Sequence, residues 1–269
     1  MIPEQNSGTG ITVVVVLYNG SVANIRCLDC AMRSPYVKDV VVCDNSTRVN
    51  DNAAEAVSLG VSYVPMGGNK GLPAAYRRGV AESRGDVVCI FDDDTSVDLS
   101  YFEAVSDAFE KSGDLDIALP LVMADDFVLS PCRFNGIWAK AFSSVRDIHD
   151  SDVLSGINSG MAVRRAVFAR VRHDERLFLD FVDHRFVGDA RKAGMKISYL
   201  DGPVLHQDFS LGSDTQGQAA ARYRIYKADS KVFFSDSLPK RICGFLLRVY
   251  RGAKLSLRYG TIFFGKDKK

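Results

Sequence analysis

From residue 11 onward the chain alternates short apolar runs with amphipathic stretches, and this alternation constrains the fold more than any other feature. Residues 11–18 form a near-continuous β-branched run, the pattern of a parallel strand buried on both faces. Val22, Ile25, Leu28 and Met32 then recur at about helical spacing. A second strand over 40–43 ends in the polar turn Asp44-Asn45-Ser46-Thr47. A weak helix over 53–57 leads to a third strand at 61–64. The glycine-rich loop 67–71 opens a helix in which Leu72, Ala75, Tyr76, Gly79 and Val80 share one face. A fourth strand, 86–91, stops at Asp92-Asp93-Asp94-Thr95; Phe102, Val105 and Phe109 mark the next helix, and 115–119 a fifth strand. Successive strand–helix units predict an α/β fold with a doubly wound, mostly parallel sheet and right-handed crossovers.

The regularity fails over 120–155, where loops or short antiparallel strands are expected. Order returns with a strand at 160–163, a helix near 164–171, a helix over 183–193, and short strands at 197–200 and 204–206. From about residue 218 the chain reads as helices. The predicted organisation is therefore one α/β domain over 1–217 and a basic helical extension over 218–269.

A net charge of +1 gives no reason to expect nucleic acid as a partner. No apolar stretch of about 18 residues is present, and the first ten residues lack the basic and apolar regions of a secretory signal. The six cysteines sit mostly in apolar runs, as reduced thiols of a cytoplasmic protein would. Cys27 and Cys30 have the spacing of a redox or zinc pair, but no second pair or nearby histidine accompanies them.

In open parallel sheets, ligands bind beyond the carboxyl ends of the strands. Three polar clusters occupy that edge: Asp44-Asn45, the 67–71 loop, and Asp92 to Asp94. Three adjacent carboxylates repel one another, and a hard cation such as Mn²⁺ or Mg²⁺ relieves that while also neutralising a diphosphate. The competing explanation is a solvated acidic turn, with Asp94 or Thr95 capping the next helix.

The order of these pieces resembles the family 2 glycosyltransferases of the GT-A fold, over most of residues 11–212. Their opening strand and Tyr-Asn pair correspond to Val13 through Tyr18 and Asn19, and their Val-rich strand and Asp-Asn-Ser turn to Val40 through Ser46. Their Asn-x-Gly loop corresponds to Asn69-Lys70-Gly71, and their Asp-x-Asp motif to Asp92-Asp93-Asp94. The resemblance implies a nucleotide-sugar donor bound by Tyr18, Asn19, Asp44, Asn69, Lys70, Gly71, Asp92 and Asp93, with Asp44 on the base. Asp92 and Asp94 would hold the metal.

The second half extends the likeness. Asn158 through Arg165 is similar to a small-residue strand that ends in Arg-Arg near donor sugar and acceptor, which places Gly160 at the donor. Leu177 through Asp183 resembles a segment of bacterial rhamnosyl- and galactofuranosyltransferases whose last acid is the general base. Asp183 takes that role by resemblance, although Val182 stands where the family usually has Glu; Asp180 becomes a supporting or acceptor-binding carboxylate. The position of Asp183 also suits a helix N-cap. His206, ahead of Gly212, matches a histidine that can complete the metal shell. His149, His173 and His184 match no motif, and Trp138 fits burial or a sugar-stacking role.

Between Pro239 and Lys269 there are nine Lys or Arg and one acid, Asp267. Ile242, Phe245, Leu246, Val249 and Tyr250 give that segment an apolar face at helical spacing. Such a helix either docks on its own domain or lies against an anionic membrane surface, here the inner face of the plasma membrane. The functional expectation is an inverting, metal-dependent transfer of a sugar from a UDP-galactofuranose- or dTDP-rhamnose-class donor. The acceptor would be a hydroxyl of a bacterial surface polysaccharide or lipid-linked glycan. The alternatives are a sugar nucleotidyltransferase, which usually carries a glycine-rich basic signature after the first strand, or an inactive glycan-binding relative. A dehydrogenase is disfavoured because no strand is followed by Gly-x-Gly-x-x-Gly.

Overall fold

A computed structural model of the protein describes residues 9–149, 152–207 and 215–263. The apolar run at the start is β1 (Ile11–Leu17), and all seven of its residues are buried. Ile11, Val13, Val15 and Leu17 pack towards α1 (Leu28–Arg33), α2 (Asn52–Leu59) and α4 (Leu99–Lys111). Val14 and Val16 pack on the other side, with α3 (Leu72–Glu82). Each such side chain is worth roughly 1.5–3 kcal/mol when fully buried, so a run with both faces apolar is stable only between two layers.

Around β1 lie β2 (Val37–Asp44), β3 (Ser62–Pro65) and β4 (Val87–Asp92), all parallel to it. The sheet also takes in β5 (Thr95–Ser96), β6 (Ile117–Ala124), β11 (Met161–Arg164) and β12 (Ile197–Gln207), in the order β3-β2-β1-β4-β11-β6-β12-β5. β7 (Phe127–Ser130) folds back on β6. A small second sheet joins β8 (Cys132–Phe134), β9 (Ala139–Ala141) and β10 (Leu154–Ser155). α5 (Val182–Lys192) covers the β6–β11 region, and α6 (Gln216–Phe233) and α7 (Leu238–Tyr259) complete the chain. The architecture is the expected α/β one, with a mostly parallel sheet and helices at the C-terminal end.

Register makes the functional edge. Leu17 pairs with Asp44 and Val16 with Asp92, so β1, β2 and β4 end level with one another. β11 runs antiparallel to both β4 and β6, with Met161 opposite Ile90. The residues that lead into β11, Asn158 to Gly160, therefore enter the sheet at the edge where β4 leaves it.

Four local expectations change. The predicted helix through Val22 to Met32 is a short 3-10 turn followed by α1, because the intervening Arg26 N–H is drawn to the Asp93 carbonyl at 3.1 Å. The strand expected to stop before Pro120 continues to Ala124; β12 shifts register between Leu200 and Val204, beside the position that has no N–H to give. The same shift joins the two short strands predicted near 200 into one. The helix expected over 164–171 is a 3-10 segment, Arg165–Ala169. The irregular stretch resolves into β7 to β10, the short antiparallel strands that were one of its two readings.

Candidate active site

Three loops at the strand ends are tied into one rim. Asn19 follows β1 with φ 56°, a left-handed conformation that Asn tolerates better than most residues. Its side-chain carbonyl accepts the N–H groups of Thr47 (3.0 Å) and Arg48 (3.2 Å), and its own N–H donates to Ser46 Oγ (2.8 Å). The buried Asn45 carries the tie onward: its Oδ1 accepts the Lys70 N–H at 2.9 Å, and its Nδ2 donates to the Gly71 carbonyl at 3.2 Å. Asn69 Oδ1 in turn accepts the Gly71 N–H at 3.0 Å. Tyr18 stands out from this rim, 51% exposed, and the Lys70 side chain is exposed as well.

Asp44 lies beneath the rim and is largely engaged by its own protein. Its Oδ1 accepts the Ser46 N–H at 2.9 Å, and its Oδ2 accepts Asn52 Nδ2 and the Tyr63 hydroxyl, both at 2.8 Å. Burial works against its charge, but the hydrogen bonds from Ser46, Asn52 and Tyr63 win and hold the carboxyl below its usual range.

The three acids after β4 separate into two roles. Asp93 accepts the Tyr18 backbone N–H and braces the rim; burial raises its carboxyl despite that bond. Asp92 ends the strand, with Ser159 Oγ accepting its N–H at 3.0 Å and bonding Thr95 Oγ1 at 2.5 Å. Burial, then the charge of Asp94, pushes Asp92 up to about 7, against the hydrogen bond from Gln207 Nε2 at 2.9 Å. A hard divalent cation suits this carboxylate donor set. Among the described residues no three His, Cys, Asp or Glu converge as a complete cage. Asp92 and Asp94 could thus hold a cation whose shell is filled by phosphate and water.

Asp183 faces this cluster. α5 is entered through Phe181 at φ 65°, which occupies the N-cap, so Asp183 is the second helical residue and not the cap its sequence position allowed. Its carboxylate accepts from the Asn158 Nδ2 and from the Asn158 backbone N–H. Burial, then the charge of Asp92, pushes it up to about 8. Asp180 is also raised by burial, although Arg251, 3.6 Å away, and Arg222 pull it down.

The segment that carries both acids is clamped from α6. Asp229, 1% exposed, accepts the N–H groups of Phe178 (2.9 Å), Leu179 (2.8 Å) and Asp180 (2.8 Å). Beyond Asp183, Arg185 donates to the Phe233 carbonyl at 3.1 Å. On its other side the Phe178 carbonyl accepts the Leu72 N–H at 2.8 Å. Gly71 is required at that crossing: its φ is 84°, and a Cβ there would sit 2.9 Å from the Phe178 carbonyl oxygen.

Several site expectations need correction or refinement. His206 is exposed, and strand alternation turns its neighbour Gln207, not His206, towards Asp92. The Gly212 that accompanied it lies outside the described residues. Gly160, φ 78°, leaves room for Leu205 and Pro120 in the interior. His184 bonds Ser155 Oγ at 2.7 Å and stacks on Phe134 at 4.3 Å, tying α5 to the small sheet. Asn158, Gln207 and Asp229 carried no assigned role in the sequence; only Asn158 lay within a recognised motif.

The comparisons concern the fold and the family. The chain's fold is similar to that of GalNAc-T7 solved with UDP, GalNAc and Mn²⁺, at 13% identity and a TM-score of 0.64, over 95% of this chain and 55% of that one. S. aureus TarS is similar as its 1–349 fragment, at 13% identity and a TM-score of 0.54, over 93% of this chain and 72% of that one. The longer TarS structure gives 14% and 0.54, over 96% and 44%. The chain thus spans about half the length of the first of these. No curated protein sequence matches it. The profile of "Glycosyl transferase family 2" matches residues 12–172, from β1 through β11 and short of the segment that bears Asp183, and the chain belongs to that family.

Proposed function

We propose that the protein is an inverting, metal-dependent glycosyltransferase. The donor is a nucleotide sugar of the UDP-galactofuranose or dTDP-rhamnose class, and the acceptor a hydroxyl of a bacterial surface polysaccharide or lipid-linked glycan. The observation that carries this reading is the placement of Asp183, hydrogen-bonded by Asn158, beside the Asp92–Asp94 pair at the ends of β1, β2 and β4. The UDP and Mn²⁺ in the GalNAc-T7 structure support a nucleoside-diphosphate donor and a divalent cation.

In this reading the rim of Tyr18, Asn19, Asn69, Lys70 and Gly71 holds the nucleotide, and Tyr18 is exposed enough to cover a ring. Asp44 sets the turn under the base. Asp92 and Asp94 hold Mn²⁺ or Mg²⁺, which when bound neutralises the departing diphosphate. Asp183 receives the proton of the attacking hydroxyl at its carboxylate oxygen, while Asn158 fixes the direction that oxygen faces. Asp180, on the same segment, lines the acceptor side. Proton transfer to a positioned carboxylate accounts for about 10²–10⁴ in rate.

The test is a thermal-shift panel of UDP, dTDP, GDP and CMP, each with and without Mn²⁺. A ligand that binds only the folded state raises the melting temperature by mass action. A Mn²⁺-dependent rise with UDP or dTDP supports the reading and chooses between the two donor classes. No rise with any nucleotide sinks it.

A further inference from the structure

α7 carries apolar side chains on two sides. Inward, Leu247, Leu255 and Tyr259 pack on the domain beside small and polar groups. Gly244 and Gly252 are buried, and a Cβ on Gly244 would sit 2.8 Å from Phe234. The Tyr223 hydroxyl donates to the Arg248 carbonyl at 2.8 Å, and Arg248 Nη1 donates to Ser230 Oγ at 3.0 Å. Arg251 lies over the Tyr226 ring at 4.1 Å and reaches Asp180 at 3.6 Å.

A second set of apolar side chains points outward. Ile242, Phe245, Leu246, Val249, Tyr250 and Leu257 are between 39% and 87% exposed. At 3.6 residues per turn they form one stripe on the side of the helix opposite Arg251. Arg241 borders one edge of that stripe and Lys254 the other. Between Leu238 and Tyr259 there are six Lys or Arg and no acid. Among the described residues nothing covers the stripe. The three lysines of the final segment, Lys266, Lys268 and Lys269, lie outside the described residues.

We propose that the outward face of α7 seats this chain on an anionic lipid surface. A contiguous apolar patch of this kind marks an interaction site, and two chemistries must be met there: hydrocarbon along the stripe and negative charge along both borders. Anionic headgroups over acyl chains supply both. A two-fold contact with a second copy would supply only the first, because it would set the bordering Arg241 and Lys254 of one helix against those of the other with no acid on either helix. No described helix is long and apolar enough to cross a membrane, so α7 lies along the surface.

The geometry gives this contact a use, which rests on the function proposed above. Arg251 and Asp180 meet on the side of α7 away from the stripe. The segment bearing Asp180 and Asp183 is then held about one helix diameter, roughly 10–12 Å, above the headgroups. That is where the sugar of a lipid-linked acceptor would stand.

Flotation with vesicles tests the docking without reading turnover. The protein should float with vesicles of phosphatidylglycerol and phosphatidylcholine, stay behind with phosphatidylcholine alone, and be released by high salt. The double variant Phe245→Ser/Leu246→Ser should bind about tenfold less or weaker, with an unchanged melting temperature. Should that variant not fold, Arg241→Glu/Lys254→Glu decides by the same readout. A wild-type chain that ignores phosphatidylglycerol vesicles overturns the proposal, as does a stripe variant that floats like the wild type. So does a wild-type dimer that the stripe variant converts to monomer. Retention of the nucleotide-dependent thermal shift in any of these cases leaves the transferase reading standing while the docking falls.

Discussion

Asp229, on α6, accepts the backbone N–H of Asp180 at 2.8 Å, and with it those of Leu179 and Phe178. One buried carboxylate thus fixes three successive peptides just ahead of Asp183. Asp229→Ala should leave those donors without partners and cost about 1–3 kcal/mol. Because the same peptides place Asp183, turnover should fall further than nucleotide binding does. Measuring kcat alongside the UDP or dTDP thermal shift checks this; equal losses in both would make Asp229 a purely structural residue.

Asp94→Ala should abolish transfer and leave the fold intact, since the residue sits beyond the end of β4. The reading is the Mn²⁺-dependent part of the nucleotide shift, which should vanish. Full metal-dependent turnover in this variant would remove Asp94 from the cation site.

Asp183→Asn keeps the side chain's size and removes its basicity. Donor binding should persist while kcat drops by about 10²–10⁴. A variant that turns over like the wild type would show that another group takes the proton.

The pH dependence of stability follows from two acids and two imidazoles. Asp183 and Asp92 rise from 3.8 in the unfolded chain to about 8 and about 7, chiefly through burial. The folded protein therefore keeps protons that the unfolded chain gives up, and stability declines as pH rises across those intervals. Burial moves His173 and His184 the other way, from 6.5 to about 3 and about 4, so their contribution grows with pH and is complete by 6.5. Between pH 6.5 and 8 only the acids act, and the melting temperature of the metal-free protein should fall. Asp183→Asn should flatten part of that fall and Mn²⁺ should flatten the Asp92 part. A melting temperature that rises through this window would contradict the burial of both acids.

His206→Ala should be within about 0.5 kcal/mol of the wild type in stability, as exposed positions usually are. Its Mn²⁺-dependent nucleotide shift should be unchanged. Gln207→Ala should instead alter that shift, because Asp92 loses its donor.

What the sequence made legible is what neighbouring residues decide. β1 to β4 could be read from short apolar runs, and the polar residues at their ends followed from where the runs stop. The Asn45 tie to Lys70 and Gly71 was not readable, but its members were marked by the turn and loop they sit in. Asp229 left no such trace: it looks like any acid in a helix, and its partners are 49 to 51 residues away. Gln207 meets Asp92 across 115 residues, through a register that only the paired strands fix. The choice between His206 and Gln207 is a choice of strand face, and a slip of one residue reverses it. α7 was recognisable as basic and amphipathic, yet which side faced inward depended on Gly244 meeting Phe234.

β11 is the one strand between β4 and β6 that runs against both. Its direction gives the chain from β7 to β10, a stretch of small antiparallel pieces, a direct outlet beside Asp92. In the function proposed above, changes of length or composition there would reshape what lies opposite the donor while the β1–β4 half keeps its nucleotide. Variation and constancy are thereby assigned to different stretches of one polypeptide. On that reading, a lineage built on this topology would exchange acceptors without rebuilding the half that holds the donor.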